Sequence, residues 1–159
     1  MKENKISITY RDYPSGKLPS DYIQLIESAL KAAEKAYAPY SKFKVGVAAR
    51  LTDGTIVLGS NQENAAYPSG LCAERVAMFY LQSEFPGQSV EIMALTAIIN
   101  NEQTEEPIFP CGSCRQVLLE HEQMHMSKVK MLFAGKNRTI EVDSATELMP
   151  LFFSGDILR

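Results

Sequence analysis

Read by the spacing of its apolar positions, the chain alternates between strand-like and helix-like segments. Ile6, Ile8 and Tyr10 stand at every second position, which predicts a short edge strand. "YPSGKLPS" after them has the proline, glycine and serine content of a turn and linker. Between residues 21 and 37 the period changes. Ile23, Ile26, Leu30, Ala33 and Tyr37 recur at three- and four-residue steps, predicting a helix with one apolar stripe, Ser20 as its N-cap and its end before Pro39. "KFKVGVAARLTDGTIVLGS" is two strand-like runs joined by Asp53-Gly54, a dipeptide suited to the positive φ angles of a tight hairpin. After the polar stretch "NQENAAYPSG" a helix opens at Cys72. "EIMALTAII", residues 91 to 99, holds neither glycine nor proline and reads as a buried strand, and a second cysteine-bearing helix begins at Pro110. "KVKMLFA" and "RTIEV" predict two more strands, and "ATELMPLFFSGDILR" a short helix with an aromatic tail.

Strands alternating with helices make an α/β layer sandwich, and the hairpin puts at least one antiparallel pair into a roughly five-stranded, therefore mixed, sheet. The 159 residues are the length of one domain. We assign residues 20–159 to it and residues 1–19 to an N-terminal extension. At this length folding buries roughly 70% of the surface of the unfolded chain, so one core is enough.

Composition narrows the picture by exclusion. With 45% hydrophobic and 22% charged residues the chain is ordinary globular protein, neither disordered nor fibrous. No apolar run approaches the roughly 20 residues of a membrane span, and "MKENKISITYRDYPSG" lacks the apolar centre of a signal peptide, so the expected location is cytoplasmic, without a membrane partner. Sixteen basic against nineteen acidic residues give a net charge of −3 with no Lys/Arg cluster, which argues against nucleic acid as a partner. The cysteine count is odd, and a reducing compartment disfavours disulfides, so metal binding or nucleophilic chemistry is the better reading of the thiols.

All three cysteines fall at predicted helix starts. Cys111 and Cys114 are three apart, which places both on one helix face as a ligand pair. Cys72 stands at the other helix start, where side chains lean back beyond the helix end, and Glu74 in the same turn can reach around anything bound there. Both helix ends carry partial positive charge that favours thiolates, and Arg75 and Arg115 follow the ligand turns as candidate donors to sulfur. Three protein ligands leave one tetrahedral position of a zinc ion open for water, the mark of a catalytic site. Zinc lowers the pKa of that water to about 7, and a nearby carboxylate off the metal can move its proton.

"CAER" followed by "PCGSCRQ", with "YSKFKVG" and "NQENAAY" upstream, resembles the cytidine deaminase family over about residues 20 to 155. The resemblance implies a three-layer α/β/α sandwich and one zinc per chain held by Cys72, Cys111 and Cys114, with Glu74 as proton shuttle. It implies Phe43 packing on the base, Asn61 and Glu63 on the ribose, Ala65 and Tyr67 in the same binding segment, and backbone groups of Ala73 and Cys111 meeting the pyrimidine. Arg75, Ser113, Arg115 and Gln116 would surround the ligands. Ser113 is a departure, since the family usually has alanine there. The implied reaction is hydrolytic deamination of cytidine and 2'-deoxycytidine in pyrimidine salvage. A related aminopyrimidine nucleoside such as blasticidin S is the alternative substrate. The resemblance also implies a homotetramer in which Phe153, from "LMPLFFSGDIL", reaches the base in a neighbouring subunit.

Plainer readings stand beside these. Buried inert thiols would leave Glu74 and the two helix starts as coincidence. Taken alone, Asn61 and Glu63 are a solvated loop, Phe43 is core, and Phe152 and Phe153 are an apolar tail. "HEQMH", residues 121 to 125, fits the H-E-x-x-H zinc motif with Glu122 as base, but it falls at the end of a helix, and we read it as a chance match on a solvated face. A non-enzymatic alternative closes a structural zinc with Cys111, Cys114, His121 and His125, making an interaction module, and leaves Cys72 and Glu74 without a task.

Overall fold

Successive side chains of a strand point to opposite faces, and the central strands of this protein are apolar on both. The computed structural model describes residues 1–158. In it β2 (Lys44–Leu51), β4 (Val90–Ile99) and β6 (Lys130–Ala134) send Val47, Ala49, Met93, Leu95, Met131 and Phe133 to one side. Ala48, Ile92, Ala94, Leu132 and Ala134 face the other. Such strands need cover on both faces. Leu25, Ile26 and Ala29 of α1 (Ser20–Glu34) cover the second face. α2 (Ala73–Glu84) and α3 (Gly112–His125) cover the first through Ala73, Ala77, Met78, Leu81 and Leu118. The result is a three-layer α/β/α sandwich.

With β1 (Arg11–Pro14), β3 (Ile56–Ser60), β5 (Glu102–Gln103) and β7 (Arg138–Val142), the strand order is β1-β7-β6-β4-β2-β3, with β5 paired to β4. Only β4 and β6 run parallel, joined by the crossover that contains α3; the sheet is mixed as expected. Seven strands replace the expected five. One addition is β5, which folds back on β4 through Asn100 and Asn101, both at positive φ (52° and 64°), where asparagine is tolerated. The other is β1. The expected edge strand at Ile6–Tyr10 is instead exposed chain without regular structure, and the strand lies just after it, antiparallel to β7.

Polar contacts, invisible to an apolar period, fix β1. Arg11 Nη1 donates to Glu141 Oε1 at 2.7 Å and to Asp143 Oδ1 at 2.8 Å, and the Tyr13 hydroxyl donates to Glu141 Oε2 at 3.0 Å. Glu141 is 2% exposed, and Lys130 Nζ lies 3.4 Å from the same Oε1 that Arg11 binds, so its charge is buried but paired.

Helix α1 departs from expectation in phase and in its ends. Pro19, not Ser20, occupies the N-cap, without a side-chain bond. The helix stops at Glu34 because Tyr37 pairs with the loop after β3, its N–H donating to Asn61 O at 3.1 Å. Ile23 is exposed, and the buried face is Leu25, Ile26, Ala29, Ala32 and Ala33. Small residues prevail there because helix and sheet nearly touch: a Cβ on Gly46 would lie 2.0 Å from Ala29 O. The hairpin turns on Gly54 alone (φ 88°), whose N–H bonds Leu51 O at 3.0 Å, the pattern of a type I turn with a glycine bulge.

On the opposite face Gly59 plays the part of Gly46, and there it positions the first turn of α2. A Cβ at Gly59 would lie 2.4 Å from Ala73 O and 2.8 Å from Ala77 N. Gly59→Ala is therefore expected to push α2 off the sheet, cost about 1–3 kcal/mol in urea unfolding as overpacking does, and lower bound zinc per chain. Unchanged unfolding midpoint and metal content would show that the contact has slack.

Candidate active site

Both cysteine segments end in the same local geometry. Cys72 is the N-cap of α2 and Cys111 the N-cap of α3, each on extended backbone (φ −70°, ψ 154° and φ −67°, ψ 168°). A side chain there projects past the helix start, toward the unpaired N–H groups and their partial positive charge. Cys114, in the first turn of α3, leans back to the same point. Cys72 Sγ lies 3.8 Å from Cys111 Sγ, which lies 3.5 Å from Cys114 Sγ. The three sulfurs fall within 4.8 Å of one another, the one such group of potential metal ligands among the described residues. Tetrahedral zinc with Zn–S of about 2.3 Å sets sulfurs about 3.8 Å apart, so the donor set fits the metal in chemistry and in span.

Burial governs the charges here. It raises the Cys72 thiol, against the pull of the Arg75 guanidinium, whose Nη2 lies 3.9 Å from the sulfur. It raises the Cys114 thiol too, helped by the negative charge of Glu74. At Cys111 burial also pushes upward, but N–H groups of Cys114 and Ser113 and the neighbouring thiols more than reverse it, and the net shift is down. Glu74 is 4% exposed, and desolvation raises its carboxyl pKa. A divalent cation inverts the pressure on the thiols, because a coordinating thiol gives up its proton outright. Glu74 is not one of the grouped ligands, and its carboxyl is buried close to them.

Cys72, Cys111, Glu74 and Arg75 line a cleft of about 780 Å³. Phe43, Asn61, Glu63 and Tyr67 line it as well, so β2, β3, the following loop and both helix starts converge on one space. Asn61 closes the β2–β3 end: its Oδ1 accepts the Val45 N–H at 2.7 Å and its Nδ2 donates to Phe43 O at 2.9 Å. Glu63 Oε2 accepts the N–H groups of Tyr40 (2.9 Å) and Ser41 (3.3 Å), and Oε1 accepts the Ser41 hydroxyl, which holds its pKa below the usual range. Ala65 is exposed and Ala73 fully buried; neither is among the lining residues.

Two expected neighbours of the sulfurs face elsewhere. Arg115 donates to the carbonyls of Pro110 and Leu148, both at 2.8 Å, and Gln116 Nε2 to that of Phe153 at 3.1 Å. Both lie on the side of α3 that the returning C-terminal segment covers. Phe153 itself is 61% exposed and does not line its own chain's cleft. Sequence reasoning missed Ile108 and Phe109, which also line it, and gave no individual role to Tyr40 and Ser41 of the "YSKFKVG" segment. The available signal was adjacency: Phe109 stands two residues before Cys111, and Tyr40 and Ser41 just before Phe43.

Comparisons with known proteins agree with this geometry. Residues 19–132 match the family described as cytidine and deoxycytidylate deaminase zinc-binding region. A cytidine deaminase of Halalkalibacterium halodurans is 36% identical over 86% of this chain and 96% of its own length. One of Sporosarcina psychrophila is 41% identical over 87% and 95%. Among solved structures, a cytidine deaminase from Burkholderia pseudomallei superposes with a TM-score of 0.71 at 38% identity, over 83% of this chain and 98% of that one.

The "HEQMH" stretch lies apart from the sulfurs, and its setting corrects the expectation of a solvated face. His121 is 4% exposed, and its Nε2 accepts the Val90 N–H at 3.0 Å. Buried Glu122 accepts the N–H groups of Val129 (2.7 Å) and Ala145 (2.8 Å) and the Ser144 hydroxyl (2.8 Å). These side chains brace α3 against the strands and the C-terminal segment, and neither histidine joins the metal-ligand group.

Burial, then the neighbouring His125, lowers the His121 pKa from 6.5 to about 4. Above pH 6.5 the ring is neutral folded or unfolded. As pH falls below that value the unfolded chain takes a proton that the folded ring refuses until about pH 4, so stability is lost across this window, by about 3 kcal/mol in all. His121→Gln keeps an acceptor for Val90 and should flatten this slope in urea unfolding between pH 7 and pH 4.5. Parallel slopes for the two proteins would refute the assignment.

Proposed function

The chain belongs to the cytidine and deoxycytidylate deaminase family, and from that premise we propose that its cleft hydrolyses cytidine and 2'-deoxycytidine to the uridine nucleosides and ammonia, with Cys72, Cys111 and Cys114 holding one zinc and Glu74 moving the protons. The carrying observation is the meeting of three sulfurs within 4.8 Å beside a buried carboxyl, at the wall of a cleft large enough to admit a nucleoside. When bound, zinc supplies Lewis acidity and a water activated near neutral pH. Glu74, desolvated and off the metal, delivers a proton to N3 of the pyrimidine and later to the leaving amine. Phe43 packs on the base, and Asn61 and Glu63 face the ribose.

The electrostatics of the cleft favour a free nucleoside. Arg75 is the one cation among its lining residues and lies against Cys72 Sγ, while Glu63 presents a carboxylate where the sugar would sit. A phosphate near that carboxylate meets like charge, and the cation that acts on Glu63, Lys42, is not among the lining residues. The experiment that tests the function is ammonia release from a panel of cytidine, deoxycytidine, their monophosphates, blasticidin S and cytosine in single-stranded DNA. Efficient turnover of the nucleosides alone supports the reading, and preference for a nucleotide or polynucleotide overturns it.

The same proposal extends to the cellular setting. Three clustered thiols suit a reducing compartment, so we place the protein in the cytoplasm, in pyrimidine salvage. No helix among the described residues is long and apolar enough to cross a membrane. Exposed Phe152 and Phe153 support a homotetramer in which the tail of one chain completes the cleft of the next.

Glu74→Gln is expected to keep zinc and fold while losing at least about 10²- to 10⁴-fold in kcat, the usual worth of an acid–base group. In the same assay series Cys72→Ala should lose zinc, and His121→Ala with His125→Ala should retain it. Phe153→Ala should raise KM with the tetramer intact by light scattering. A fully active monomer would remove the shared-cleft reading.

A further inference from the structure

Helix α3 carries more than the ligand pair. Along its length it bonds the returning C-terminal segment at successive points. Arg115 donates to Leu148 O at 2.8 Å, and Glu122 takes the Ser144 hydroxyl and the Ala145 N–H, both at 2.8 Å. These fix the root of the segment. Beyond it the chain turns through Leu151 at φ 59°, and two amides hold the tip: Gln116 Nε2 donates to Phe153 O at 3.1 Å, and Gln123 Nε2 to Ser154 Oγ at 3.0 Å. The bond from Gln116 falls on the backbone of Phe153 itself, while the ring stays exposed.

The geometry points to Gln116 as a positioning residue for the reaction in a neighbouring subunit: it clamps the Phe153 backbone to α3 so that the ring is offered to the next chain's cleft from a fixed backbone position. This rests on the shared-cleft reading above. A phenyl ring on a chain end free to rotate spends most of its time away from any given base. Tying its own carbonyl to a rigid helix restricts the backbone that carries the ring before substrate arrives, which lowers the entropic cost of binding. Gln116 follows Cys114 by two positions on the same helix, so one rod sets the ligand pair of its own site and the aromatic contact of another.

The test compares wild type, Gln116→Ala, Phe153→Ala and the double variant for KM, kcat, zinc content and mass in solution. The proposal expects Gln116→Ala to raise the KM for cytidine about three- to tenfold, the span of one ordinary hydrogen bond, with kcat, zinc and tetramer mass kept. The double variant should be no worse than Phe153→Ala alone. Additive losses, a fall in zinc, or a kcat defect at unchanged KM would assign Gln116 to the metal side of α3 and overturn the proposal. If Phe153→Ala raises KM and Gln116→Ala does not, only the clamp is lost. If Phe153→Ala leaves KM unchanged, the shared-cleft reading fails and takes the clamp with it.

Discussion

The convergence of two helix N-termini, close enough for three sulfurs to fall within 4.8 Å, is the contact on which the rest of the molecule depends. Left alone it is unfavourable, because two partial positive ends face each other and a carboxyl group is buried between them. The sheet makes it possible by pressing α2 onto Gly59 and α3 onto the apolar face of β4 and β6. Thiolates then supply the negative charge that the helix ends favour, and a divalent ion balances the thiolates.

Much of this was legible in the sequence, because the determinants were local. Cysteine at an N-cap, cysteine one turn later and glutamate in the facing first turn are short-range patterns, and each implies a direction for its side chain. The strands β2, β3, β4, β6 and β7 were legible for the same reason: their apolar runs are bounded by glycine, asparagine or charge. The phase of α1 was not. The sequence offered large apolar residues at Ile23 and Leu30, whereas the sheet comes so near that alanines form the contact, and Ile23 is left outside.

What escaped the sequence reading was polar and long-range. Glu141 reads as a surface position in "RTIEV" until Arg11, Lys130 and Tyr13 arrive from distant parts of the chain. Glu122 and His121 read as a solvated helix end until Val90, Val129 and Ser144 bring donors to them. Arg115 and Gln116 were placed near sulfur because of their neighbours in sequence, while their bonds run to a segment over thirty positions away. A buried charge is only interpretable with its partners, and no spacing rule supplies partners at such separation.

Strand β1 bears on how the protein behaves in a crowded solution. The open side of a last strand is a template for other chains. Without Arg11–Pro14 that position falls to β7, whose Thr139, Ile140 and Val142 form a β-branched run suited to cross-chain stacking. With it, the outermost strand is four residues long, charged at Arg11 and Asp12, and ends in Pro14, which has no N–H to offer. Arg11–Pro14 thus gives the sheet a short, charged and proline-ended border in place of the β-branched run of β7, a border poorly suited to pairing with another chain.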